Sequence, residues 1–260
     1  MTDTLANGWF GLEGRVALVT GASSGLGRHF ARVLASAGCI VGLAARREGY
    51  LTSLATEIEG AGGRAVVLRT DVTDAASVEA SVARLTEEAG TPTVLVNNAG
   101  MAQGGSFLDT TDDAMRGTFA LNQMAAWTVA QTVCKGMVAA GTGGSVVNIA
   151  SITGERPIGG AAAYAVSKAA VIHMTRVMAM ELARHDIRVN ALAPGYFATD
   201  MNRDFLASEA GRKLLKRSPM RRAGAMAELD GPLLMLASDR GAFVTGAVVP
   251  VDGGHLVATL

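Results

Sequence analysis

The sequence predicts an α/β fold, a doubly wound seven-stranded parallel sheet in a single domain. Three observations predict it. Short apolar, β-branched runs recur seven times, at 15–20, 39–45, 65–69, 93–97, 145–150, 187–193 and 247–251. The stretches between them carry apolar residues at helical spacing, as in Phe30, Val33, Leu34 and Ala37, and each is long enough for a right-handed crossover. No Pro/Ser-rich linker, low-complexity tract or repeat divides the 260 residues, a length that one parallel-sheet core can organise.

The first run ends at Thr20, and Gly21-Ala22-Ser23-Ser24-Gly25-Leu26-Gly27 leads into an amphipathic helix. Glycines at a strand-to-helix turn let backbone N–H groups approach a pyrophosphate at the positive end of the helix, as in a Rossmann-type dinucleotide site. Gly21, Ser23, Ser24, Gly25, Leu26 and Gly27 are the candidate phosphate-binding residues. The glycine spacing is wider than G-x-G-x-x-G, so by glycine count alone an ordinary strand–helix turn also fits. The second run ends in Ala45-Arg46-Arg47, where a dinucleotide fold places an acidic residue against the adenosine ribose. Without that carboxylate nothing repels a 2′-phosphate, and Arg46 and Arg47 can form charge-assisted bonds to it, with Ser24 as a further hydroxyl. The pattern predicts NADP(H) ahead of NAD(H). The alternative is that both arginines merely open a solvated helix.

The fourth run contains Val94, Leu95 and Val96 without interruption, which suits a central strand buried on both faces. At the carboxyl end of the fifth run stands Ser151, on the sheet edge where α/β folds bind ligands, and its hydroxyl can orient a carbonyl oxygen. In the helix that follows, Tyr164 and Lys168 are four residues apart and share a face. A phenol titrates near ~10 in water, and an ammonium beside it favours the phenolate, so the expectation is a tyrosine pKa drawn down toward working pH. After the sixth run, 196–224 is the irregular substrate-loop region. Its cluster Arg212, Lys213, Lys216, Arg217, Arg221 and Arg222 reads as a solvated face. The last helix opens with Asp230-Gly231-Pro232, tolerable only if Pro232 lies in the first turn.

From about Leu12 to Gly254 the chain resembles the short-chain dehydrogenase/reductase family. T-G-x-x-x-G-x-G stands at 20–27, Asp71-Val72 follows the third run, and Asn97-Asn98-Ala99-Gly100 ends the fourth. Asn122, Ser151, Tyr164-x-x-x-Lys168, Pro194-Gly195 with Thr199, and Val251-Asp252-Gly253-Gly254 complete the order. The resemblance implies a catalytic set of Asn122, Ser151, Tyr164 and Lys168. Tyr164 would exchange the proton, Ser151 polarise the carbonyl, Lys168 lower the tyrosine pKa and hold the nicotinamide ribose, and Asn122 anchor a relay water. It further implies that Asp71 and Val72 meet the adenine, Asn98, Ala99 and Gly100 line the cofactor cleft, and Pro194, Gly195, Phe197 and Thr199 lie at the nicotinamide end. The relatives it resembles most in layout are 3-oxoacyl-carrier-protein reductases. Sugar-acid or polyol dehydrogenases are the alternative within the family, and a cofactor-binding module without turnover the alternative outside enzymes.

The expected substrate is a small carbonyl or secondary alcohol, and its mostly apolar wall of Met101, Ala102, Gln103, Ile152, Thr153, Ile158, Tyr196, Phe197, Met201 and Phe205 suits a ketone with a hydrophobic arm better than a bare sugar, although a water-lined sugar pocket could be built from the same loops. Met180 stands where carrier-protein reductases often have an arginine, although Lys135 could serve as a basic contact on the long helices. Family habit implies a homotetramer or homodimer built on the helices near 122–138 and 164–183 and on the final strand. Met124, Met174, Met178 and Met180 suit such contacts, although core packing explains them equally.

Composition excludes several other functions. Lys+Arg and Asp+Glu both number 23, so no basic excess drives nucleic-acid binding. Cys39, Cys134 and the four histidines, His29, His173, His185 and His255, lack metal-ligand spacing, so neither a metal nor a disulfide is expected, and burial is the reading of both thiols. Neither a signal peptide at residues 1–13, the N-terminal arm, nor a membrane span is recognised, and a cytoplasmic location is expected.

Overall fold

Seven strands form one parallel sheet in a computed structural model that describes residues 8–199 and 203–258. They are β1 (Val16–Thr20), β2 (Ile40–Ala45), β3 (Arg64–Arg69), β4 (Val94–Asn97), β5 (Gly144–Ile149), β6 (Ile187–Pro194) and β7 (Val248–Val251). Every end lies within one residue of the run read from the sequence. The order is β3-β2-β1-β4-β5-β6-β7, so the chain builds outward from β1 and then restarts on its other side. Such a reversal opens a crevice at the carboxyl ends of β1 and β4, where open α/β sheets bind ligands.

The connecting helices are α1 (Gly25–Ser36), α2 (Glu48–Gly60), α3 (Ala75–Ala89), α4 (Asp112–Phe119), α5 (Ala125–Ala140), α6 (Ala162–Leu182), α7 (Arg203–Ala207), α8 (Glu209–Leu215) and α9 (Asp230–Ala237). They cover both faces. Ala17 and Val19 of β1 pack with Phe30 and Leu34 of α1, Leu51 of α2 and Leu233 of α9. Val16 and Leu18 point the other way, to a core with Leu85 of α3 and Val129 and Val133 of α5. This two-sided burial is why the strands are continuously apolar rather than alternating. Asp74 and Thr111 start α3 and α4 by accepting from Ala76 N–H (3.0 Å) and Ala114 N–H (3.2 Å). Pro232 is the third residue of α9, in the first turn, where no intrahelical N–H bond is lost.

Several expectations divide here. Both cysteines are buried, and burial pushes each thiol up to about 12, which makes them packing residues rather than reactive thiols. Met174 is core and Met178 packs against it, whereas Met124 and Met180 are exposed, so the packing and surface readings each hold for two methionines. In 196–224, Lys213 pairs with Glu209 and Arg222 with Glu228 on solvated surface. Of the 1–13 arm, residues 1–7 lie outside the described residues. Trp9 is held by Arg240, whose Nε donates to its carbonyl at 2.7 Å. Among the described residues no helix is long and apolar enough to cross a membrane, and no group of three or more His, Cys, Asp or Glu gathers as a metal site.

Candidate active site

The carboxyl end of β1 becomes a cradle because side chains are absent from it. Gly21 has φ +68°, and a Cβ there would lie 2.8 Å from Asn98 Nδ2; a Cβ on Gly27 would collide with the Gly21 carbonyl. The cradle is tied to the end of β4. Asn98 N–H and Ala99 N–H donate to Thr20 Oγ1 (2.9 and 3.0 Å), and Asn98 Nδ2 donates to the Thr20 carbonyl (2.9 Å). Ser24, the N-cap of α1, makes no side-chain capping bond, so the first-turn N–H groups keep their donors for an anion. These features fit a dinucleotide pyrophosphate.

Both arginines after β2 line the cleft, and Arg47 is tied to the phosphate turn. Arg47 Nη2 donates to Ser23 Oγ (2.9 Å) and Ser24 Oγ (2.8 Å), and its guanidinium lies 4.7 Å from the Tyr50 ring centroid. The Asp71 carboxylate is held below its usual range by the Thr73 hydroxyl and N–H, with Arg46 adding a smaller pull. Ala45 offers no carboxylate at the strand end. Val72 is buried beside Asp71 at the same rim.

At the other end of the cleft, Ser151 caps the 3-10 turn Ile152–Gly154, accepting from Thr153 N–H (3.2 Å) and Thr153 Oγ1 (3.0 Å). Ser151 and Tyr164 line the same end of the cleft, where the Ser151 side chain acts to lower the phenol's pKa. Lys168, one turn along α6, donates from Nζ to the Ile149 carbonyl (2.7 Å) and stands 5.8 Å from the Tyr164 ring centroid. Asn122 sits in a π turn, Ala120–Met124, a break in helix hydrogen bonding that often marks functional sites. Its amide clamps one backbone unit: Nδ2 donates to Met101 O (2.9 Å), and Oδ1 accepts from Met101 N–H (2.8 Å). The second Nδ2 proton goes to Ser167 Oγ at 3.0 Å.

All the candidate residues from Gly21 to Thr199 except Gly27 and Asn122 line one cleft of about 770 Å³. Those two stand behind it, Gly27 in helix–strand packing and Asn122 beneath Met101. Met101, Ala102, Gln103, Phe197 and Phe205 are also in the wall, as expected. Ile152, Thr153, Ile158 and Tyr196 are not: the first two are buried under the Ser151 turn, and Tyr196 stacks edge-on against His255. Met201 lies outside the described residues. Sequence reasoning missed Ser167, whose hydroxyl joins Asn122 to the Tyr164 carbonyl (2.7 Å); a serine inside a helix carries no pattern that flags it.

The electrostatics correct the expected depression of the tyrosine. Burial pushes the Tyr164 phenol up, and the Ser151 side chain draws it part of the way back. Lys168 does not pull it down because Nζ is aimed at Ile149 O and is itself desolvated, its pKa lowered to about 8. Folding therefore favours the neutral amine. From pH 8 to the ordinary lysine value near ~10.4, the unfolded chain holds more protons and stability rises with pH; below 8 a penalty of about 3 kcal/mol stands in full. Lys168→Met removes that penalty and leaves the Ile149 carbonyl without its bond, a cost of ~1–3 kcal/mol, so the variant is expected to gain up to about 2 kcal/mol at pH 7. The gain should vanish by about pH 10.5. Urea unfolding at both pH values checks this, and a less stable variant at pH 7 would refute it.

The chain is similar to known proteins along nearly its whole length. A family model described as "Enoyl-(Acyl carrier protein) reductase" matches residues 21–255. L-rhamnose 1-dehydrogenase (NAD(P)(+)) of Sphingomonas sp. is 39% identical over 95% of this chain and 98% of that protein. The 3-oxoacyl-[acyl-carrier-protein] reductase of Thermotoga maritima is 36% identical over 95% and 99%. A crystal structure of a gluconate 5-dehydrogenase from Burkholderia cenocepacia, in complex with NADP and tartrate, superposes with TM-score 0.92 at 36% identity, covering 96% of this chain and 98% of that one.

Proposed function

Because the chain belongs to the short-chain dehydrogenase/reductase family, oxidoreductases acting on alcohol and carbonyl groups, we propose that it interconverts a small ketone and a secondary alcohol, preferring NADP(H) and using Tyr164 as acid/base. The observation that carries this reading is the meeting, in one cleft, of an Arg47-bearing phosphate cradle and the Ser151–Tyr164–Lys168 group. In it, Gly21, Ser23, Ser24, Gly25, Leu26 and Gly27 form the pyrophosphate turn. Asp71 and Val72 hold the adenine, while Asn98, Ala99 and Gly100 line the middle of the cleft. Pro194, Gly195, Phe197 and Thr199 bound the nicotinamide end. When bound, the nicotinamide supplies or accepts the hydride. Ser151 holds the substrate oxygen, Tyr164 gives or takes its proton, and Lys168 holds the nicotinamide ribose. Asn122 has no free amide proton, so it serves a proton relay by fixing the Met101 backbone under the site.

The substrate we propose is a polyhydroxylated alcohol or its ketone, since two of the three relatives above act on sugars or sugar acids. The apolar wall of Met101, Phe197 and Phe205 supports a second reading, a 3-oxoacyl thioester. Exposed Met180 lends no basic contact to an acidic carrier protein. The test is turnover of L-rhamnose, D-gluconate, cyclohexanol and a 3-oxoacyl thioester with both nicotinamide cofactors. No turnover of any would leave a binding module without chemistry.

The 196–224 region would cover the substrate, and a cytoplasmic location suits this chemistry. Met124, Trp127, Val166 and Met180 expose apolar surface on the π turn, α5 and α6. Covering it with copies of the chain gives a homotetramer or homodimer. Light scattering at micromolar concentration should return such a mass, and a monomer would refute the assembly.

A further inference from the structure

The chain from 101 to 104 is tied at both ends to α6, the helix that carries Tyr164. At the near end, a Cβ on Gly100 would lie 3.1 Å from Asn122 Oδ1 and 3.6 Å from Lys168 Nζ, and Asn122 clamps the Met101 backbone that follows. At the far end, Gly105 N–H donates to Gly160 O at 3.0 Å, and Gly105 O accepts from Ala162 N–H at 3.1 Å. Lys168 stands one turn beyond Tyr164 on α6, and Ala162 lies just before it at the start of the helix. The segment therefore spans the part of α6 that carries the phenol, and Met101, Ala102, Gln103 and Gly104 line the cleft together with Ser151 and Tyr164.

Within 101–104 only Gln103 has a side chain built for conventional hydrogen bonds. It is exposed and makes no hydrogen bond to any described residue. Other polar side chains of the cleft are already engaged: Ser23 and Ser24 with Arg47, Asn98 with Thr20, Ser151 with Thr153 and Lys168 with Ile149 O. Ser151 and Tyr164 are further taken up by the reacting oxygen. Met101, Phe197 and Phe205 give a substrate apolar contact. An amide carries an acceptor oxygen and two donor protons in one plane, so it can answer a hydroxyl in either sense or reach two neighbouring hydroxyls. Against an alkyl arm the same groups would give up water and gain no partner, which is unfavourable.

We propose that Gln103 is a specificity-determining residue of the substrate site, its amide bonding a hydroxyl on a carbon near the reacting one. The inference rests on the polyhydroxylated-substrate reading and assigns that specificity to one side chain. Because both flanks of Gln103 are fixed to α6, binding orders little more than its own rotamers. The bond then also sets how the substrate stands relative to the Tyr164 phenol.

The test is steady-state kinetics of wild type and Gln103→Leu with the best polyol of the panel and the better of the two nicotinamide cofactors. Leucine keeps a branched side chain and removes the amide, at an exposed position where it displaces no core packing. KM for the polyol should rise about five- to tenfold, the worth of one hydrogen bond, while KM for the cofactor stays within about twofold. A polyol KM within twofold of wild type overturns the inference and leaves the polyol reading standing. A matching rise in the cofactor KM, or a loss of kcat with the polyol KM unchanged, overturns it too, because either marks a disturbed cleft rather than one missing contact. A wild type that turns over cyclohexanol or the thioester but no polyol overturns both the inference and the polyol reading and leaves the oxidoreductase standing. One that turns over nothing sinks all three.

Discussion

Tyr164→Phe is expected to lower turnover by about 10²–10⁴-fold, the range for losing a positioned general acid/base, while NADPH affinity stays within about twofold. The substitution deletes one hydroxyl and leaves the ring packed on α6. Ser151 keeps its Thr153 bonds, so the turn that carries it does not collapse. Because burial raises the phenol, the group is protonated at neutral pH and ready to give a proton to a forming alkoxide. Ketone reduction should therefore hold at neutral pH and decline as the phenol ionises. Alcohol oxidation, which needs phenolate, should rise over the same interval. Turnover of Tyr164→Phe within tenfold of wild type, or pH slopes of the same sign for the two directions, would remove Tyr164 from the mechanism.

The parts of this site that were legible in the sequence are those fixed by local geometry. β-branched runs gave strands to within a residue because both sheet faces bury them, and no competing helix could use Val94-Leu95-Val96 better. Tyr164 and Lys168 share a helix face because of the helical repeat alone. What stayed hidden depends on three-dimensional surroundings. The direction of the Tyr164 shift reversed because desolvation outweighs a lysine aimed at Ile149 O, and burial is a tertiary quantity. Arg46 and Arg47 look alike as letters, and only the folded chain holds Arg47 on Ser23 and Ser24. Tyr196 and His255 lie far apart in the chain and meet only because β6 and β7 are neighbours in the sheet.

The cofactor prediction follows from that difference between the arginines. Arg47 is already drawn over the phosphate turn by two serine hydroxyls and backed by the Tyr50 ring, so little side-chain entropy is lost when it meets a 2′-phosphate. A charge-assisted hydrogen bond contributes about 1.5–3 kcal/mol, and ~1.4 kcal/mol is tenfold. The wild type is therefore expected to favour NADPH over NADH by at least about tenfold in kcat/KM. Arg47→Ala should remove most of that preference, whereas Arg46→Ala should change it less. Adding Ala45→Asp to Arg47→Ala should invert it, because a carboxylate at the end of β2 accepts from the ribose hydroxyls of NADH and repels the phosphate. Ser24 remains a donor to the phosphate, so the inverted preference will be smaller than the original. Equal efficiency of the two cofactors in the wild type would mean that the Arg47–serine contacts only close the surface of the cradle.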